Sequence, residues 1–237
     1  MQSTLDARLA SAAGYVRQGA VFADIGTDHA HLPIYLLHTE KINFAIAADI
    51  AEGPLSLARE NAKKHNLLHK MSFYLTDGLS GLSSLGVTDI AICGMGGEMI
   101  SIIIDREDFV KNPDIRLILQ PMTKQDTLRR YLAQHGFEIE SETLSLASGR
   151  VYSCICAHYT GTPYTMTEAQ YLVGEPTIET RQDAENYKRL LDKKYAALNG
   201  RIAGKSMSQK QDPKEAELLC ELDKKRSEIN ERIHALQ

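Results

Sequence analysis

The sequence predicts an α/β fold: a mostly parallel sheet of about seven strands with helices on both faces, an antiparallel edge, and a C-terminal helical hairpin. Three observations predict it. Short apolar runs alternate with amphipathic stretches over roughly the first 160 residues, the pattern of strands and crossover helices. Two longer runs then flank Ala147-Ser148-Gly149-Arg150, which reads as a hairpin turn. Beyond about Thr165 strand signals stop and spacings of three and four take over.

Taken in order, Leu5–Val16 is an amphipathic helix with Leu5, Leu9, Ala12, Ala13 and Val16 on one stripe. Val21–Ile25 is a buried strand that ends in glycine, and Leu32–Leu37 is helical. Phe44–Asp49 is the second strand. Pro54 lies in the first turn of the next helix, where a missing N–H is tolerated, and Leu55, Ala58, Ala62 and His65 continue its stripe. Met71–Leu75, Asp89–Cys93 and Arg116–Leu119 are further strands. Met99–Ile104 and Asp126–His135 are helices, the latter stopped by Gly136. Phe137–Leu146 and Val151–His158 form the closing hairpin.

Residues 1–165 therefore form one domain and residues 166–237 a second. In the second, Tyr187, Leu191, Tyr195, Leu198 and Ile202 make one helical seam. Leu219, Leu222, Arg226, Ile229, Ile233 and Leu236 make another, with Arg226 as an imperfection. The stretch from Gly204 to Pro213 separates them, so the segment reads as an antiparallel coiled-coil hairpin.

The composition is that of a globular protein, 43% hydrophobic and 24% charged. Cys93, Cys154, Cys156 and Cys220 form no CxxC pair and have no histidine pair at zinc-ligand spacing, so no metal is expected. Cys154 and Cys156 flank Ile155 on one strand face and read as packing. No signal peptide and no apolar run of the ~20 residues a membrane span requires is found, so a cytoplasmic protein with reduced thiols is expected. The net charge of −4 is unevenly distributed. From Lys188 to Lys210, Lys188, Arg189, Lys193, Lys194, Arg201, Lys205 and Lys210 face a single acid, Asp192.

The chemistry concentrates at strand ends. Asp24-Ile25-Gly26-Thr27-Asp28-His29-Ala30-His31 ends the first strand and opens a helix, the place where open α/β sheets bind ligands. Gly26 permits close approach of a ligand to the backbone. Asp28 stands where a dinucleotide-binding turn would have its second glycine, and it would repel a pyrophosphate. A phosphate-free cationic cofactor, S-adenosylmethionine, suits that turn better than NAD. Asp49, about 20 residues on, is placed to hold ribose hydroxyls, with Ile50 beside it. Asp77-Gly78 follows the third strand, where an acid can accept from an adenine amine. Cys93-Gly94-Met95-Gly96-Gly97 follows the fourth, where the glycines leave space and free N–H groups beside a transferable group and Met95 can pack on a base or on the cofactor. Gln120-Pro121-Met122 lines the same cleft. His29 is a candidate cofactor contact and His31 a weaker one.

These strings, together with Leu5-Asp6-Ala7-Arg8-Leu9, resemble the bacterial tRNA adenine(22)-N1 methyltransferases, the TrmK family. The resemblance runs along essentially the whole chain, with His31 where the family pattern has an aromatic tyrosine. It implies a class I, Rossmann-like methyltransferase fold. It also implies methyl transfer from S-adenosylmethionine to N1 of an adenosine in the D-loop region of tRNA. Carried over, Asp24, Gly26, Thr27, His29, Asp49, Ile50, Asp77, Gly78 and Gly94 would hold the cofactor, and Asp28, Met95 and Arg8 would face the target base. Lys188, Arg189, Lys193, Lys194, Arg201 and Lys205 would grip tRNA phosphates. A monomer is expected. The residues alone also admit a small-molecule or protein methyltransferase with a partner-binding coiled coil, and a scaffold that has lost catalysis.

Overall fold

The computed structural model describes residues 5–204 and 212–236. Seven strands form one sheet in the order β3-β2-β1-β4-β5-β7-β6. These are β1 (Val21–Ile25), β2 (Phe44–Asp49), β3 (Met71–Leu75), β4 (Asp89–Cys93), β5 (Arg116–Gln120), β6 (Phe137–Ala147) and β7 (Arg150–Tyr159). The first five are mutually parallel, and β7 runs antiparallel to both β5 and β6. The predicted layout is thus observed, including the reversed edge.

Side-chain alternation along the strands divides the core into two layers. Phe22, Ala45, Ala47, Ala91, Ile118 and Cys154 point to one face. There they meet α1 (Ala7–Tyr15), α2 (His31–His38) and α3 (Glu52–Lys64). Ala23, Ile25, Ile46, Ile90, Ile92, Leu117, Leu119 and Ile155 point to the other. That face is covered by α4 (Gly97–Asp105) and α5 (Gln125–Gln134). Burial on both faces is why the central strands read as apolar runs rather than alternating ones.

The tail begins with α6 (Glu168–Val173), a short helix that the sequence reading does not contain. Its signal is local: Thr167 and Gln170 form a capping box, and six residues are too few for a periodic stripe. The hairpin follows as α7 (Arg181–Ala203) and α8 (Pro213–Ala235). Leu191, Leu198, Leu222 and Ile229 are buried between the two helices, and this cluster also takes in Leu144 of β6. Arg226 is no defect in the seam. Its guanidinium pairs with Asp192 of α7 at 2.7 Å and lies over the Tyr195 ring, so it ties the two helices together at their edge.

The tail is anchored to the sheet by a buried ion pair. Arg129 of α5 and Glu142 of β6 are each about 1% exposed and form a bidentate pair. Two further N–H groups of Arg129 donate to the Tyr171 carbonyl of α6 at 2.8 Å and to Ser153 Oγ of β7 at 3.2 Å. A buried charge left without its partner is strongly destabilising. Glu142→Ala is therefore expected to cost roughly 3–5 kcal/mol in urea unfolding, well beyond the loss of a surface pair such as Arg130–Glu168.

Candidate active site at the strand ends

Because β1 to β5 are parallel, their carboxyl ends lie along one edge of the sheet, and the candidate residues gather there. The turn after β1 sets the geometry. Gly26 has φ +73 and lies directly under the Met95 methyl, so a Cβ at this position would be both strained and obstructed. Its N–H and that of Thr27 donate to the Ala48 carbonyl of β2, at 2.8 and 3.1 Å. Asp24 is buried and accepts from Thr27 Oγ1 at 2.7 Å. Burial, with the nearby Asp49 charge opposing a second anion, raises the Asp24 carboxyl to about 6.

Two adjoining chambers open along this edge. One, of about 460 Å³, is lined by Arg8, Asp24, Asp28, His31, Asp49 and Gly94 among others. The second, of about 390 Å³, is lined by Ile50, Thr76, Asp77, Gly78, Met99, Ile103 and Arg106. Gly26, Asp49 and Met95 border both, so Met95 forms the partition between them.

Not every predicted residue reaches the cleft wall. Thr27 is buried beneath it and acts on Asp24. His29 lies outside the lining of both chambers, 3.1 Å from the exposed Asp28 carboxylate. His31, the weaker candidate on sequence grounds, is in the wall and stacks on the His29 ring at 5.5 Å. Two successive left-handed residues, His29 and Ala30, turn the chain at this point, which local sequence does not announce.

The glycine string after β4 corrects the sequence reading. Two of its N–H groups are not free for a ligand. Gly94 N–H goes to the Gln120 carbonyl and side-chain Oε1, at 3.1 and 3.2 Å, and Gly97 N–H goes to the Thr123 carbonyl at 2.8 Å. Gly97 is required because any Cβ would strike the Lys124 carbonyl at the start of α5. The glycines thus serve the close approach of two backbones as well as the cleft.

Asp6 and Arg106 take part although spacing does not indicate them, while Gln120-Pro121-Met122, expected to line the cleft, lies outside the lining of both chambers. Gln120, fully buried, accepts from Arg8 Nη1 at 3.0 Å and from Gly94, and so joins α1 to the β4 loop. Asp6 fixes the other side of the Arg8 guanidinium at 2.6 Å, and the Tyr152 ring lies 5.6 Å from it. Arg106 pairs with Asp77 at 2.8 Å on the rim of the apolar chamber. Among the described residues there is no group of three or more His, Cys, Asp or Glu side chains able to hold a metal ion.

The family model described as a methyltransferase domain matches residues 5–155. The chain belongs to this family. It is similar to the tRNA (adenine(22)-N(1))-methyltransferase of Bacillus subtilis, 34% identical over 153 residues. That alignment covers 65% of this chain and 64% of the relative, just under two thirds of the relative's length. The crystal structure of the B. subtilis M1A22 tRNA methyltransferase TrmK superposes with a TM-score of 0.74 at 27% identity, covering 97% of this chain and 99% of that one. Streptococcus pneumoniae Sp1610 in complex with S-adenosyl-L-methionine gives 0.74 at 29%, covering 98% and 100%. The resemblance read from the sequence is borne out by these similarities, and so is the Rossmann-like methyltransferase fold.

A carboxyl that ionises at about 6 when folded and at 3.8 in its ordinary state binds a proton in the folded chain that the unfolded chain has already released. Stability therefore falls as pH rises from about 3.8 to 6, and the penalty is complete above 6. Asp24→Asn removes it. The variant is expected to melt higher than the wild type at pH 7, by the equivalent of about 2–3 kcal/mol, and to lose that advantage near pH 4. Calorimetric melting at the two pH values checks both.

Proposed function

We propose that this chain transfers a methyl group from S-adenosylmethionine to N1 of adenosine 22 in the D-loop region of tRNA. The observation that carries the proposal is the coincidence of two findings: a cleft lined by strand-end acids, and similarity to a tRNA (adenine(22)-N(1))-methyltransferase.

The residues present fit the cofactor. Acids Asp24, Asp28 and Asp49 border one chamber, which suits the ammonium and sulfonium charges of the cofactor and repels phosphate. Ile50, Met99 and Ile103 give the other chamber apolar walls for a nucleobase, with Asp77 at its rim to accept from an exocyclic amine. Asp49 borders both and would hold the ribose hydroxyls. Gly26, Gly78 and Gly94 border the same space, while Thr27 supports Asp24 from below and His29 supports Asp28 from the side. When bound, S-adenosylmethionine supplies an electrophilic methyl group on a sulfonium cation.

The protein needs no nucleophile, since adenine N1 carries its own lone pair. Its task is to position the base and manage charge. N1 is on the pairing edge, so the adenosine must be unpaired or flipped out to enter. Arg8, held by Asp6 and Gln120, and Met95, at the partition, both line the first chamber and would meet the base there. Methylation leaves the adenine cationic. Asp28 balances that charge or accepts the proton that the exocyclic amine then releases.

Residues 1–165 act as the catalytic domain and the hairpin of 166–237 as the tRNA-binding part, in a cytoplasmic monomer. Among the described residues no helix is long and apolar enough to cross a membrane.

Mass spectrometry of unmodified tRNA incubated with enzyme and cofactor is expected to place one methyl on adenosine 22. No incorporation by enzyme shown to bind the cofactor would refute the proposal. Asp28→Asn is expected to retain cofactor affinity within a few-fold and to lower turnover by roughly 10²–10⁴. Loss of binding in calorimetry would make Asp28 a cofactor ligand instead. Cofactor affinity should also fall roughly tenfold per pH unit below about 6, as Asp24 takes up a proton.

A further inference from the structure

A second depression, of about 760 Å³, lies between the catalytic body and the hairpin. One wall is the face of α7 that carries Arg189 and Lys193, one helical turn apart, with Lys194 alongside. The opposite wall carries Lys124, which caps α5 in a left-handed conformation, and Arg150, the first residue of β7. Asp126 is the single carboxylate in this lining among the described residues. Lys124 is held only loosely by Glu98, at 3.7 Å with both side chains about 60% exposed. Arg150, Arg189 and Lys193 are exposed. Burial lowers the Lys194 ammonium from its ordinary value; Asp126 opposes the shift, and the neighbouring Arg129 and Lys193 charges add to it.

Five cations facing one acid across an open groove are mutually repulsive unless an anion lies between them. The groove also has a direction. Met122 and Tyr152 are in its lining. Arg8, in the wall of the methyl-transfer cleft, touches Met122 Sδ at 3.5 Å and lies 5.6 Å from the centre of the Tyr152 ring. The groove therefore ends where the cleft begins.

We infer that this groove is the track of the RNA strand that delivers the target adenosine, with Lys124 and Arg150 gripping its phosphates from one side and Arg189, Lys193 and Lys194 from the other. The inference rests on the proposed RNA substrate. It adds that the catalytic body, and not the hairpin alone, holds the strand. It also sorts the basic residues of the hairpin. Lys188 is committed to Asp192 at 2.7 Å on another face of α7, and Arg201 to Glu215 at 3.4 Å. Lys205 and Lys210 lie outside the described residues. Contacts of this kind fix register and carry no sequence information, so they set affinity rather than the choice of base.

The test is binding of unmodified tRNA to the full-length protein at salt concentrations from about 50 to 200 mM. The variants are Lys124→Ala with Arg150→Ala, and Lys193→Ala with Lys194→Ala. Each lost phosphate contact is expected to flatten the plot of log affinity against log salt by about 0.7–0.9. Each pair should therefore lose about 1.5 in slope and weaken binding roughly tenfold or more at the lowest salt. Cofactor affinity by calorimetry should not change, as it would if the variants were misfolded. Lys63→Ala with Lys64→Ala, on α3 at the far edge of the sheet, should leave slope and affinity unaltered. An unchanged slope in the groove variants, or equal flattening by the α3 variant, overturns the inference, as does a wild type that binds no tRNA and leaves the groove to an acidic protein. Wild-type protein that binds tRNA with the expected slopes but leaves it unmethylated overturns the proposed activity and supports the groove.

Discussion

The buried pair of Arg129 and Glu142 holds together parts of the molecule that the chain itself connects only loosely. One guanidinium reaches β6, β7 and the end of α6, so α5, the antiparallel edge and the tail become one body. Charges this deep are stable only when they are paired and hydrogen-bonded, and here a carboxylate, a carbonyl and a hydroxyl engage all three guanidinium nitrogens. The consequence is geometric. The helix that supplies Arg129 begins at Gln125, just after Lys124, and the strand paired with β6 begins at Arg150. Helix α7, the other wall of the basic groove, is tied to β6, the strand of Glu142, by the Asn186 side-chain amide, which donates to the Leu144 carbonyl at 3.3 Å.

The cleft rests on a different constraint, the shared direction of five parallel strands. Their carboxyl ends bring Asp24, Asp49, Asp77, Gly94 and Gln120 to one edge although 96 positions separate the first from the last. The loops after β4 and β5 then continue side by side, through Gly94 to Gln120, Met122 to Met95 and Gly97 to Thr123. This zipper carries the Gln120 side chain to Arg8. Residues expected to serve cofactor and base are therefore joined by one buried amide.

Much of this was legible in the sequence, for a local reason. A strand-end acid needs only its own strand and turn to be placed, so Asp24, Asp49 and Asp77 could be read from apolar runs that stop at an aspartate or just before one. Arg106 and Gln120 were not legible as partners. Arg106 meets Asp77 only because α4 packs back across the sheet, and Gln120 meets Arg8 across 112 positions. The same applies to His29 and His31. Two successive left-handed residues, His29 and Ala30, lie between the strand end and α2, and of the two rings it is His31 that lines the cleft.

By itself, then, the sequence determined the alternation of strands and helices, the reversed edge, the acid-bearing turns and the two helical seams. All of these follow from hydrophobic period and turn chemistry over a few residues. The tertiary structure decided which side chains share a space. It placed Met95 over Gly26, used the glycines after β4 for backbone contact, turned Arg226 from a flaw into a bridge, and set Lys124 and Arg150 opposite α7. Those outcomes depend on packing between distant segments, where burial and shape fix distances that no local pattern encodes. The opening turn shows both at once: Asp24 and Gly26 are dictated by the strand they end, whereas the raised Asp24 ionisation exists only because the fold buries that carboxyl near Asp49.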